Sequence, residues 1–517
     1  MRCHGKDMDR SWFSSAVILC LVFLYVALVP TTRLLPALGT YDEKRVLECI
    51  LLVLVCTVVA TTPPLCRAWL RLFFSLSPGA RAVLGACVLL GFLSSLVAVS
   101  VRYALLELTL FVCLFIASLS MAVVRQELGR FFDRVIVLSV LVVGWAYLAG
   151  FVAFYVSVLA GSLSFEQRAL FWSFSNIRFF SQFQTWTLPL VVLPWFFLGR
   201  YPLVKLITVL AGSSWWFLFF VSGTRGTLVA MLAAGVLVAV VFGRRSWPWF
   251  KLQALVLLAG LVAYVLIFLV LPEILSVDTS SVLARSIRRD LVHSPGRMTL
   301  WALALDMIRQ HPLLGLGPMH FACDSNLVAS HPHNALLQLA SEWGMPVAVT
   351  VLLFFVRALF LWIQSAQKVL NREEDQEKMV LCPALLASLS GAAVHALVSG
   401  LVVMPLSQVM LVLVAGWMLS LYKGEMQEPS RWAGEIWRKG KICVLVVLVP
   451  VFLFAGLAVL SWPGDQARQR FLSSPFAHVH RMPRFWQQGK ICLGVPDIID
   501  PRIGGNRQDH QSCSKSR

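Results

Sequence analysis

At 517 residues, 58% hydrophobic and only 14% charged, with a mean hydropathy of +0.77, the chain has too little polar surface to cover a soluble globule. A net charge of +18 suggests nucleic acid at first sight, but most basic residues fall in short connections between apolar runs, where membrane topology accounts for them. A soluble fold and a nucleic-acid partner are thereby excluded, and a polytopic membrane protein remains.

A span needs about 20 mostly apolar residues. Such windows recur at 11–30, 47–62, 83–101, 104–124, 135–160, 186–199, 203–222, 227–243, 252–275, 335–362, 380–403, 406–422 and 442–463. We therefore expect an all-α fold of about 12–13 transmembrane helices. The first window has a charged flank but no small-residue cleavage site, and reads as an uncleaved span. The window "WTLPLVVLPWFFLG" carries Pro189 and Pro194; too short for a span, it must be broken, re-entrant or helped by its flanks.

Basic residues occupy alternate connections: Arg67, Arg71 and Arg81; Arg125, Arg130 and Arg134; Arg200 and Lys205; Arg244, Arg245 and Lys251; Lys368, Arg372 and Lys378; and Lys423 to Lys441. If these face the cytoplasm, so does the N-terminus, and the opposite side receives 161–185, 223–226, 273–334 and the tail from 464 onward. The aromatic stretch "SFEQRALFWSFSNIRFFSQFQTW", with Arg168 and Arg178, resembles an interfacial segment.

The connection from Glu273 to Asn334 far exceeds the ~15 residues beyond which loops are usually functional or disordered. Within it, "SPGRMTLWALALDMIRQHP" predicts an amphipathic helix: Ser294 as N-cap, Pro295 at the first position, Met298, Trp301, Leu305 and Ile308 on one apolar stripe, and Pro312 and Gly315 to end it. It is expected to lie along the membrane surface, that stripe down. Pro332 suits the first position of a second helix that runs on as a span, which puts His333 in its first turn. Beyond the transmembrane domain, 1–463, residues 464–517 read as a polar tail, its "FAHVHRMPRFW" without an evident role. Cys323, Cys492 and Cys513 fall on the outer side, where an oxidising compartment would allow two of them to pair.

Four histidines, His311, His320, His331 and His333, crowd the same connection. "HPHN" interrupts its histidines with a helix-starting proline and lacks the firm spacing of a catalytic zinc site. A general base fits better, because a neutral imidazole accepts a proton near neutral pH and a helix N-terminus disfavours the imidazolium. "VSGTRG" leaves Arg225 at the outer end of an apolar hairpin, flanked by glycines that allow close backbone approach. Arg297 sits in the first turn of the amphipathic helix, where free N–H groups already favour an anion, whereas Arg285, Arg288 and Arg289 suit anionic headgroups. A neutral base with two arginines on one face points to a lipid-borne diphosphate donor and a hydroxyl acceptor. Arginine meets the charge of such a leaving group, and neither a carboxylate pair nor a D-x-D metal motif stands out on this side.

"GRMTLWALALDMIRQHPLLGLGPMHF", followed by "HPHNALLQLASEWG", resembles the signature region of the O-antigen ligase superfamily; "SGTRG" is similar to that family's arginine-bearing helix end, and "NIRFFSQFQTWTLPL" to a segment of some members. The resemblance implies a GT-C-like fold and metal-independent, inverting glycosyl transfer, without a cofactor, at the periplasmic face of the bacterial inner membrane. The donor would be an undecaprenyl-diphosphate-linked glycan. The acceptor would be the lipid A core, with protein Ser/Thr or the growing glycan as the alternatives within the superfamily. His333 would be the base, Arg225 and Arg297 would bind the diphosphate, and His331, Asn334 and Arg178 would support them, His331 as a second candidate base. The ligase is favoured because the protein-glycosylating relatives commonly carry a sizeable periplasmic domain after the last span. A transporter of lipid-linked glycans would instead need ionisable groups at mid-membrane, of which His395 is the main one expected.

Overall fold

The computed structural model describes residues 2–161, 163, 167–275, 295–324, 329–372, 375–422, 441–462, 483–487, 489 and 491–492. Ser294, Arg285, Arg288, Arg289 and Cys513 lie outside them, as does the side chain of Arg168. The described residues are helical, without strands: α1 (Arg2–Leu28), α2 (Thr40–Thr61), α3 (Pro63–Ser75), α4 (Pro78–Leu96), α5 (Val101–Leu128), α6 (Arg130–Leu159), α7 (Ile177–Thr187), α8 (Pro202–Ser222), α9 (Arg225–Phe242), α10 (Trp247–Val265), α11 (Pro295–Gln310), α12 (Ala335–Trp343), α13 (Met345–Arg372), α14 (Gln376–Ala396), α15 (Pro405–Leu421) and α16 (Lys441–Leu460).

Eight helical stretches among the described residues are long and apolar enough to cross a membrane, nine if the bent pair α2–α3 counts as one. This all-α polytopic bundle agrees with the sequence reading, but the number of uninterrupted spans is lower. Each difference has a local cause. Residues Arg225–Ile274 form one apolar stretch of 50 residues, far beyond the ~20 that span a bilayer; Gly243, at φ +52°, ends α9 and turns the chain into α10. Pro405–Leu421 and Val446–Leu460 are shorter apolar helices. The Pro189 and Pro194 window is broken, as expected: α7 stops, turns follow, and a short helix Pro194–Phe197 resumes. Its freed backbone groups find partners inside the bundle, where Trp249 donates its indole N–H to the Pro189 carbonyl (3.0 Å) and Gln253 donates to that of Leu188 (2.9 Å), as the lipid interior demands.

α8 packs on α10, α9 on α14, α5 on α15, and α16 on α2 and α5. The α8–α10 contact is close because Gly260 faces the Ser213 carbonyl, where an added Cβ would sit 2.6 Å away; small residues drive this kind of approach when lipid provides no hydrophobic force. Tyr147 of α6 fastens two connections at one end of the bundle, donating to the Pro30 carbonyl (2.8 Å) and stacking on Trp172. At the other end Arg125 makes a two-pronged ion pair with Asp133, and Arg130 reaches Asp375 and Glu377. The connections around Arg125–Asp133 and Asp375–Glu377 therefore share one end of the bundle, while His320, bonded to Ser100 at the start of α5, lies at the other.

Ionisable groups run deeper than the sequence suggests. Asp42, Glu43, Lys44, Arg45 and Glu48 on α2 and Glu107 on α5 are all buried, so His395 is not the main interior ionisable residue. Arg45 donates to Glu48 (2.5 Å), to Gln408 (2.6 Å) and to the Val403 carbonyl (2.6 Å), the pairing a buried charge requires.

Candidate active site

α11 forms where predicted, but another of its faces is buried. Leu300, Ala304 and Met307, spaced by four and three residues, pack against Phe321 and Ala329, whereas Met298 and Leu305 are exposed. Of the expected stripe, Met298 and Leu305 thus face outward, a surface suited to lipid, while Trp301 and Ile308 are half-buried. Trp301, between the two faces, donates its indole N–H to the Pro332 carbonyl (3.1 Å) and ties α11 to "HPHN".

The glycine-rich turn after α11 lies along the C-terminal end of α12. The N–H groups of Leu316 and Gly317 donate to the carbonyls of Ser341 and Glu342 (both 2.9 Å), and Met345 donates to that of Pro312 (2.9 Å). These bonds satisfy carbonyls that a helix end leaves unpaired. They require Gly315, at φ +67°, where an added Cβ would lie 2.5 Å from the Glu342 backbone, and Gly344, at φ +88°, where it would run into the Leu313 carbonyl. Gly344 also breaks α12 from α13, so "HPHN" opens a nine-residue helix rather than the span itself.

The helix begins three residues later than predicted, at Ala335. Asn334 is its N-cap, its side chain accepting from the N–H groups of Leu336 and Leu337 (both 3.0 Å), the usual satisfaction of a first turn. His333 lies just before the cap rather than within the first turn, at φ +54°, a left-handed conformation uncommon outside glycine. Its backbone N–H donates to His331 Nδ1 (3.3 Å), and the two rings meet edge to face.

The four histidines separate by environment. His311 is exposed at the end of α11. His320 is buried and fixed in one tautomer, Nδ1–H donating to the Pro318 carbonyl (2.8 Å) while Nε2 accepts from the Ser100 N–H (2.9 Å). His331 is buried against Gly400, and burial, with His333 and Arg484, holds its imidazole well below the ordinary range. His333 is half-buried; desolvation, then the guanidinium charges of Arg178 and Arg297, push it down to about 3. Neutrality at His333 therefore comes from burial and two arginines, where the sequence reading invoked the helix dipole.

Arg178 and Arg297, from α7 and α11, converge on His333 through their charge. Asn176 caps α7, accepting from the Arg178 N–H (2.9 Å), and the Arg178 side chain is exposed. Arg225 heads α9, half-buried, and its neighbour Gly226 lies against His395, whose Nε2 would be 2.6 Å from an added Cβ. His395 is buried at the same end of the bundle, Nδ1 beside Thr185 Oγ1 (2.8 Å), which in turn meets Thr227 Oγ1 (3.1 Å). Arg178, expected only to support, thus stands with Arg297 in its charge on His333.

One part of the site had no clear signal in the sequence. Arg484, from the polar tail, is buried and ion-paired with Glu107 (2.8 Å) and Glu342 (2.5 Å). The Glu342 carboxylate also accepts from the Phe321 N–H (3.0 Å). Of the three cysteines expected on the outer side, Cys323 and Cys492 are joined, their Cα atoms 4.8 Å apart. A glutamate near the end of a predicted span and an arginine next to Phe485 and Trp486 were the only available hints.

The family model described as O-antigen ligase matches residues 207–352. The match runs from within α8 to the start of α13 and includes Arg225, Arg297, His331, His333 and Asn334, while Arg178 and Arg484 lie outside it. No curated protein matches the chain. The match is consistent with the superfamily that the motifs resemble. The match supports glycosyl transfer of the O-antigen ligase or polymerase kind in general, and the apolar helices a multi-pass membrane protein.

Proposed function

We propose that this O-antigen ligase domain transfers a glycan from undecaprenyl diphosphate to a hydroxyl of the lipid A core oligosaccharide, with inversion, at the periplasmic face of the bacterial inner membrane. The observation that carries the reading is a single one: an imidazole kept neutral beside two guanidinium groups at the entrance to α12. The acceptor hydroxyl gives its proton to His333 as its oxygen attacks the anomeric carbon. The bond from that carbon to the diphosphate oxygen breaks, and the diphosphate leaves with the electron pair. Arg297 and Arg178 meet its charge, with Arg225 contributing from α9, so no separate acid has to protonate the leaving group. Attack from the face opposite the leaving group inverts the anomeric configuration.

The arginines also couple donor binding to base strength. In the free protein their charges oppose protonation of His333. A bound diphosphate neutralises them and raises the basicity of the imidazole when a proton has to be taken up.

The test is reconstitution of the purified protein in lipid with an undecaprenyl-diphosphate glycan, in parallel arms with lipid A core, with a Ser/Thr-containing protein acceptor, and with no second acceptor, each with and without a chelator. Transfer to lipid A core that resists chelation and is lost in His333→Ala is expected. Transfer only to protein, or chain extension alone, would move the acceptor assignment within the family. Full activity of His333→Ala would remove the base.

A further inference from the structure

We infer that Arg484, carried by the polar tail, is a positioning residue for the active site: through its ion pair with Glu342 it fixes α12 and hence the histidines at that helix's N-terminus. The inference rests on the reading of His333 as the base.

Residues Pro483–Trp486 are buried in the bundle, held by side chains that point inward from α2. Tyr41 donates to the Arg484 carbonyl (2.6 Å), Arg45 to that of Phe485 (3.0 Å), and the Gln487 N–H donates to Asp42 (2.7 Å). Arg45 also lies over the Phe485 ring, 4.8 Å from its centroid, and Trp486 packs edge-on against Trp462. The Cys323–Cys492 bond ties the same segment to the turn that contains His320. The main chain of Arg484 is thus anchored to α2, and its side chain is the part that reaches the site.

That side chain joins two helices. Its guanidinium takes both carboxylate oxygens of Glu107, on the long helix α5, and one oxygen of Glu342. Glu342 is the penultimate residue of α12 and also binds the Phe321 N–H. Nine helical residues at ~1.5 Å each make a rigid rod, with Glu342 at one end and, beyond the Asn334 cap, His333 at the other. Holding one end of so short a helix sets the direction of the other. A buried carboxylate that loses its cation is strongly destabilised, and Arg484 is the cation paired with Glu342 among the described residues.

Glu107→Gln and Glu342→Gln separate positioning from simple stability. Each replaces one carboxylate by an isosteric amide and changes the charge of the triad equally, yet only Glu342 lies on α12. Glu342→Gln is expected to lower kcat tenfold or more with donor KM within about twofold, because the arginines sit on other elements; Glu107→Gln is expected to keep kcat within about twofold. Arg484→Lys, which retains a charge but not the fork, should recover part of the activity lost in Arg484→Gln. Backbone amide exchange in lipid nanodiscs gives a readout independent of the reaction: Leu336 and Leu337 should exchange faster in Glu342→Gln and unchanged in Glu107→Gln. Equal effects of the two substitutions on exchange and kcat would overturn the positioning role. Faster exchange in Glu342→Gln, in a protein whose wild type transfers no glycan, would uphold it and reject the transferase reading instead.

Discussion

The backbone N–H of His333 points at Nδ1 of His331, 3.3 Å away, and the ring centroids are 4.2 Å apart. Nδ1 accepts only if His331 is neutral and carries its proton on Nε2, which its burial favours. His331 therefore holds the left-handed turn that presents His333. Asparagine at 331 offers an amide oxygen near the position of Nδ1, whereas leucine offers none. His331→Asn is expected to keep most of the transfer rate, His331→Leu to lose roughly tenfold through one missing hydrogen bond of about 1.4 kcal/mol, and His333→Ala about 10²–10⁴-fold through the missing base. Turnover of the three variants, measured at saturating donor, checks the order; a harmless His331→Leu would break the link.

The pH dependence follows from the charges around His333. Its folded value, about 3, lies below the ordinary 6.5 because of burial, then Arg178 and Arg297. The imidazole is thus a neutral base across the neutral range, and the acidic limb of kcat/KM, which reports the free protein, should fall below the ordinary imidazole range. For stability, the unfolded chain binds the proton that the folded state refuses. The contribution of His333 is therefore complete above about 6.5 and is lost as pH falls toward the folded value. Arg178→Ala or Arg297→Ala removes a repelling charge and should move the limb upward; pH–rate profiles of the three proteins decide this.

The arginines should divide by the same measurement. Arg178→Ala and Arg297→Ala are each expected to raise donor KM about tenfold, the size of one charged hydrogen bond, and to shift the acidic limb. Arg225→Ala should weaken donor binding and shift the limb less than either, because the charges that push His333 down are those of Arg178 and Arg297. A limb that moves with Arg225→Ala and stays with Arg178→Ala would reverse the assignment.

Much of this arrangement was legible in the residues. Apolar windows marked most of the helices. The Pro295 start and the Pro312 and Gly315 stop bounded α11, because local chemistry decides such boundaries. The buried face of α11 was not legible: Leu300–Ala304–Met307 and Met298–Leu305 are both apolar, and only the tertiary partners Phe321 and Ala329 choose between them. Asn334 as a cap and Pro332 as a first position both suit a helix start, and the cap bonds settled it three residues later. Arg484 was the largest omission. Its partners lie 377 and 142 residues away, and nothing local in "RMPRFW" tells a buried arginine from a solvated one.

The last expectation concerns the two glycines under α12. At Gly344 the backbone has φ +88° and an added Cβ would meet the Leu313 carbonyl; at Gly315 the values are φ +67° and 2.5 Å from the backbone of Glu342. A side chain in the left-handed region costs ~1–2 kcal/mol, and the obstructing atoms are main chain, which cannot rotate aside. Relief requires the turn 313–317 to part from the end of α12 and break the bonds at Leu316, Gly317 and Met345. Gly344→Ala and Gly315→Ala are therefore expected to lose at least ~2 kcal/mol of stability and most of the activity, since the bonds they disturb also orient α12. Gly85, inside α4 with nothing within 4 Å of an added Cβ and an ordinary backbone, provides the control: Gly85→Ala should be neutral or stabilise by ~0.4–1 kcal/mol. Thermal unfolding in detergent, read beside transfer activity, tests all three; equal behaviour of Gly85→Ala and Gly344→Ala would mean that the contact between turn and helix carries no strain.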